Sequence, residues 1–96
     1  MTRYLILFRY TQQGIQKIKE SPVRVKAAKD TYEAVGAHVK VFYALMGRYD
    51  TVFIAEAPDD ETIMKANARV ASQGFVTTET LRAFTEEEFG KLIGGI

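Results

Sequence analysis

Val39-Lys40-Val41-Phe42-Tyr43-Ala44-Leu45-Met46-Gly47-Arg48-Tyr49-Asp50-Thr51-Val52-Phe53-Ile54-Ala55-Glu56 is two runs rich in β-branched and aromatic residues joined at a glycine, and its reading decides the fold. Such runs favour strands, and Gly47-Arg48 fits a two-residue hairpin loop whose first central position needs a positive φ. A loop there sets the register, with Met46 opposite Tyr49, Leu45 opposite Asp50, Tyr43 opposite Val52 and Val41 opposite Ile54. One side of the ribbon then carries Val41, Tyr43, Leu45, Asp50, Val52 and Ile54. The other carries Lys40, Phe42, Ala44, Met46, Tyr49, Thr51, Phe53 and Ala55. Neither side is a solvated face, so both need a cover, and Asp50 falls among apolar neighbours.

On the N-terminal side of the hairpin, Arg3 to Tyr10 alternates as a strand, with Tyr4, Ile6, Phe8 and Tyr10 on one face and Leu5 and Leu7 between arginines on the other. Thr11 can cap a short turn through Gln16 and Ile18. Ser21-Pro22 is a helix start, with a capping hydroxyl and then proline at the first helical position. It predicts a helix over 22–35 with Val25, Ala28, Tyr32 and Val35 on its packing face and Gly36 as its left-handed stop. Beyond the hairpin, Pro58-Asp59-Asp60-Glu61 places carboxylates where a helix N-terminus favours negative charge. The helix that follows packs through Ile63, Ala66 and Val70 and ends at Gly74. Phe75 to Phe84 reads as a fourth strand. Thr85 with Glu88 forms a capping box that opens a terminal helix to about Leu92, and the Gly94-Gly95-Ile96 tail is expected to fray or to dock on a neighbour.

The order is β, α, β, β, α, β with an extra C-terminal helix, the ferredoxin-like arrangement within the α+β class. Two helices cover one sheet face only, so the apolar residues of the other face call for a second sheet. The expectation is a single domain over residues 1–96 that pairs sheet to sheet as a homodimer or a multiple of dimers. Asp50 is placed on the side of the partner sheet, where an apolar space with a few polar groups has the profile of a small-molecule site.

Composition bounds the rest. Ninety-six residues suit one core, and 47% apolar with 26% charged residues is ordinary for a globular chain. No cysteine is present, which removes disulfides, thiolate nucleophiles and cysteine-ligated metals. No apolar run reaches the roughly 18 to 20 residues of a membrane span, and no signal-peptide order opens the chain, so a cytoplasmic protein is expected. The net charge of +1 conceals an asymmetry: residues 1–49 hold nine Lys/Arg against three Asp/Glu, and residues 50–96 hold four against nine. Such opposed halves can complement another subunit or steer an anionic ligand towards the basic side, and the plain alternative is solvated helix faces. Lys17, Lys19, Arg24, Lys26 and Lys29 form a basic stretch, but with no stacking aromatics interleaved and an acidic second half, nucleic-acid binding is not expected.

Asp50 is the leading candidate for chemistry, because a desolvated carboxylate suits a general base or a hydrogen-bond donor to a ligand. The alternative is a turn-closing aspartate bonded to the Gly47-Arg48 backbone or paired with Arg48. Tyr43 shares its face and could add a hydroxyl. His38, the only histidine, is assigned to the face with Lys40; alone, it makes neither a metal set nor a nucleophile-base pair. No phosphate loop, dinucleotide fingerprint or serine elbow occurs, and no cofactor or metal is expected.

Gly47-Arg48-Tyr49-Asp50, together with Tyr4-Leu5-Ile6-Leu7, Ser21-Pro22, Glu56-Ala57-Pro58-Asp59-Asp60 and Thr78 to Phe84, resembles the GYD domain family over nearly the whole chain. Its Gly, Tyr, Asp signature falls here on Gly47, Tyr49 and Asp50. The family is generally described as uncharacterised and is similar to the dimeric α+β barrel group, which includes Lrp/AsnC effector domains and small monooxygenases and isomerases. The resemblance implies a dimeric barrel, and as this chain shows no N-terminal helix-turn-helix, a direct DNA-binding regulator is not expected. Three readings follow. The first is an oligomeric domain that binds a small metabolite through Gly47, Arg48, Tyr49 and Asp50, the basic half favouring an anion. The second is a cofactor-independent enzyme with Asp50 as proton-transfer group, assisted by Tyr43 or His38. The third is a structural assembly subunit.

Overall fold

Strand β1 (Thr2–Tyr10) shows why the sheet forms where it does: its even positions Tyr4, Ile6 and Phe8 are buried, while Leu5 and Leu7 are only half-buried. The computed structural model describes all residues 1–96 and orders the elements as β1, α1 (Gln12–Gln16), a 3-10 turn (Ile18–Glu20), α2 (Ser21–Ala34), β2 (His38–Ala44), β3 (Thr51–Ala57), α3 (Asp60–Ala71), β4 (Val76–Ala83) and α4 (Glu86–Gly94). The four strands make one antiparallel sheet in the order β2-β3-β1-β4, the ferredoxin-like topology the sequence predicts.

Helices α2 and α3 pack on one face of this sheet. Phe53 is the centre of the layer between them, meeting the rings of Phe8 at 5.0 Å, Tyr32 at 5.5 Å and Phe42 at 6.0 Å edge to face, the favoured geometry for aromatic pairs. Ala55, Ala57, Ile63, Ala66 and Val70 close the core around it, and Val25, Ala28 and Val35 of the α2 face pack against it. Tyr32 is fully buried and donates its hydroxyl to Asn67 on α3, whose amide in turn donates to Thr80 on β4 at 2.7 Å. A short polar chain thereby ties both helices to the sheet, with every buried polar side-chain atom partnered.

Three local expectations are corrected. First, the hairpin loop is wider than two residues: β2 stops at Ala44 and β3 begins at Thr51, because the Asp50 amide turns away from β2 to donate to the Phe8 carbonyl of β1. Second, the predicted register holds from Ala44 to Val41 and then slips at a bulge between Val39 and Val41. The slip puts Val39 opposite Ala55 and against the core, and moves His38 to the position opposite Glu56, off the face assigned to it from alternation. Third, Ser21 is helical rather than a cap, since the 3-10 turn runs directly into α2, and its hydroxyl meets the Tyr10 hydroxyl at 2.7 Å. The caps at Thr11 and Thr85 follow the reading, Thr11 accepting from Gly14 and Thr85 forming the reciprocal box with Glu88, while Asp59, read only as part of an acidic first turn, caps α3 by accepting from Thr62.

The opposite sheet face has no cover. Val41, Tyr43, Ile54, Leu5, Leu7 and Leu81 line it, with Tyr43 58% and Leu81 45% exposed. Helix α4 buries none of its residues. No helix of the structure is long and apolar enough to cross a membrane.

Candidate functional site

The signature turn is bound to its own sheet at three points. Gly47 adopts φ +112°, in the region only glycine enters freely, and this bends the chain back after Met46. The Leu45 amide donates to the Asp50 carbonyl at 2.9 Å and closes the loop. Asp50 then joins β1 through both backbone and side chain: its amide donates to the Phe8 carbonyl at 2.8 Å, and its carboxylate accepts the Tyr10 amide at 2.8 Å. At the end of β1 the Tyr10 N–H has run out of partner strand, and the Asp50 carboxylate stands in for the missing carbonyl.

Tyr49 does not keep to the Phe53 side of the ribbon that alternation assigns to it. Its hydroxyl donates to Glu79 on β4 at 2.6 Å, and because β1 lies between β3 and β4, the side chain spans β1 across the uncovered face. That hydrogen bond, with the negative charge beside it, raises the Tyr49 phenol above its ordinary value. Arg48 and Met46 are exposed at the tip. Asp50 therefore bonds neither Arg48 nor the Gly47-Arg48 backbone, and its partner is the amide of another strand.

The other candidate side chains do not converge on it. His38 lies at the far end of β2 and its Nδ1 meets Glu33 at the end of α2 at 3.1 Å. Six residues of strand, about 20 Å, separate that end of the ribbon from Ala44. Tyr43 sits opposite Val52 on the uncovered face. No group of three or more His, Asp or Glu side chains comes together in a way that could hold a metal ion.

Tyr10 links the turn to a small, partly open hollow on the helical side. With its amide held by Asp50 and its hydroxyl by Ser21, its ring lines a cavity of about 50 Å³ together with Phe8, Val25, Val70 and Phe75. Arg24 closes one side by stacking its guanidinium 4.3 Å from the Phe75 ring centre, while donating to the Lys17 carbonyl at 2.9 Å. A space of this size takes a few waters, far below the few hundred Å³ of a metabolite pocket. Gly14 explains why the neighbouring segment packs so closely, since a Cβ there would stand 2.1 Å from the Phe75 carbonyl oxygen.

A second polar group lies between β1, α3 and β4. Tyr4 donates to Asp60, and the groove beside it is bordered by Asn67, Thr80 and Arg82. Burial, then the bond to Asp60, pushes the Tyr4 phenol up to about 12. Sequence reading does not single out Asn67, although a signal exists: an amide at 67 interrupts the apolar stripe of Ile63, Ala66 and Val70, and a polar residue inside such a stripe needs a buried partner. On the uncovered face, Arg3 pairs with Glu56 at 2.6 Å and Lys40 approaches the same carboxylate at 3.9 Å, which holds Glu56 below the usual carboxylate range.

Comparison with known proteins agrees with the architecture. The sequence model of the GYD domain matches residues 4–93. The glutamine synthetase and cystathionine beta-lyase binding protein of Thermus thermophilus is 34% identical over 84 residues, covering 86% of this chain and 88% of that protein. The crystal structure of TTHA0845, also from Thermus thermophilus, superposes with a TM-score of 0.58 at 25% identity, covering 88% of this chain and 95% of that one.

Proposed function

This chain belongs to the GYD domain family, and from that premise we propose that it is a homodimeric binding module whose partner is another protein, a metabolic enzyme. The observation that carries the homodimer is the uncovered sheet face. Leu5, Leu7, Val41, Tyr43, Ile54 and Leu81 form a contiguous apolar surface of the kind that marks an association site, and a second copy supplies the matching sheet. The relative named for binding glutamine synthetase and cystathionine beta-lyase supports a protein partner, because it aligns over most of both chains. The side chains offered for catalysis do not assemble around a cavity, which favours binding over turnover.

A second reading keeps a small anionic ligand between the paired sheets, contacted by the signature turn. The polar groups on the uncovered face favour it: Arg3, Arg9, Tyr43 and the Tyr49–Glu79 pair surround otherwise apolar residues. The two readings separate by measurement. Purified chain is passed over immobilised glutamine synthetase and cystathionine beta-lyase, and in parallel its melting temperature is recorded with a panel of small carboxylates and phosphates. Saturable binding to either enzyme, at one dimer per enzyme site, is expected. Failure to bind either enzyme, with a melting temperature raised by one of the small anions, would replace the first reading with the second.

A further inference from the structure

The chain exposes more surface than its mass accounts for. A compact 10.8 kDa monomer exposes about 5,500 Å², whereas this chain exposes 6416 Å², an excess of roughly 900 Å². Its radius of gyration is 14.3 Å against about 12.5 Å for a compact domain of this length, and its longest extent is 49 Å. Helix α4, which buries none of its residues, contributes to that excess. That helix is built to be a helix, opened by the Thr85–Glu88 box and supported by a Glu87–Lys91 pair at 3.4 Å, yet nine residues are too few to hold a helix in water without packing. Phe89, Leu92, Ile93 and Ile96 recur at the spacing of one helical face, each half exposed or more, and nothing in the chain covers them.

We infer that α4 is an arm that docks on a second copy of this chain. Two observations select that occupant over a foreign protein. The excess surface matches the roughly 800 Å² that each partner of a stable interface buries. The polar side of α4 is acidic through Glu86 and Glu87, whereas residues 1–49 carry the basic balance, so arm and body are complementary between copies. The inference rests on the homodimer proposed above and adds that the dimer is closed by exchanged arms.

The absence of cysteine from the chain makes the test direct. A Leu92→Cys variant labelled with a polarity-sensitive dye reports the stripe, and Glu87→Cys reports the polar side of the same helix, while light scattering gives the mass. At concentrations where the mass is that of a dimer, the dye at 92 is expected to emit well to the blue of the dye at 87. Phe89→Asp is expected to weaken dimerisation about tenfold or more while leaving the fold intact by circular dichroism. A dimer whose dye at 92 emits like that at 87, or which Phe89→Asp leaves equally tight, overturns the arm and leaves the sheet pairing standing. A native chain that stays at 10.8 kDa overturns both.

Discussion

Replacing Asp50 with alanine tests what the signature carboxylate is for. In Asp50→Ala the two backbone bonds of residue 50, to Phe8 and from Leu45, remain, and only the bond from the Tyr10 amide to the carboxylate is lost. A hydrogen bond to a charged group contributes about 1.5–3 kcal/mol, and a partly buried donor left without an acceptor costs about 1–3 kcal/mol. Tyr10 is half-buried, so water can recover part of the loss, and a net destabilisation of about 1–2 kcal/mol is expected. With a urea slope near 1 kcal/mol per molar for a chain of this size, the midpoint should fall by about 1–2 M. Asp50→Asn keeps an acceptor without its charge and should lose about half as much. Hydrogen exchange localises the effect, because the Tyr10 amide should lose protection before its neighbours do. If Asp50→Ala unfolds at the native midpoint or above it, the anchoring role fails, since removing a group kept for function at the expense of stability leaves stability unchanged or raises it.

Three further outcomes follow from the packing. Gly14→Ala places a Cβ 2.1 Å from the Phe75 carbonyl oxygen and should cost about 1–3 kcal/mol, read as a melting temperature lower by about 4–8 °C per kcal/mol. Tyr32→Phe removes the donor to Asn67 in the core and should cost about 1–3 kcal/mol in denaturant; adding Asn67→Leu removes the stranded acceptor, so the double variant should lose less than the two single losses combined. Because the folded chain holds the Tyr4 proton up to about 12 against an ordinary value of 10.0, the stability from this group is complete below the unfolded value and is lost as pH rises towards the folded one. Denaturant midpoints should therefore hold through neutral pH and decline above about pH 10, and Tyr4→Phe should flatten that decline.

Much of this architecture is legible in the sequence because its local signals agree. Thr11 and Thr85 cap where their side chains predict, and the register from Ala44 to Val41 follows from the position of the loop alone. The bulge beyond Val41 is not legible, for a physical reason. Alternation specifies a face only when the two faces differ, and Val39 and Val41 suit either one, so the pattern cannot report that the first points inward and the second outward. Lys40 absorbs the extra residue at little cost because its ammonium stays in solvent near Glu56. The same slip carries His38 off the face that alternation gives it. The width of the hairpin loop is hidden differently: its glycine is where a tight turn wants one, and the competing partner of Asp50 is a strand forty residues earlier in the chain.

The roles of Gly47, Tyr49 and Asp50 also bear on where function resides. Gly47 turns the chain, Tyr49 reaches across β1 to Glu79, and Asp50 completes the hydrogen bonding of Tyr10, so each acts on the protein's own backbone or side chains. Together they fasten the tip of the β2–β3 hairpin to the two strands beyond it. Groups already satisfied within the chain have little left to offer a ligand, since a new partner must first displace the old one. The surfaces not used in this way are the uncovered sheet face and the stripe of α4, where Tyr43, Leu81, Phe89, Leu92, Ile93 and Ile96 stand exposed. The signature accordingly fixes the frame that presents those surfaces, and on the proposed reading they are where another chain lies.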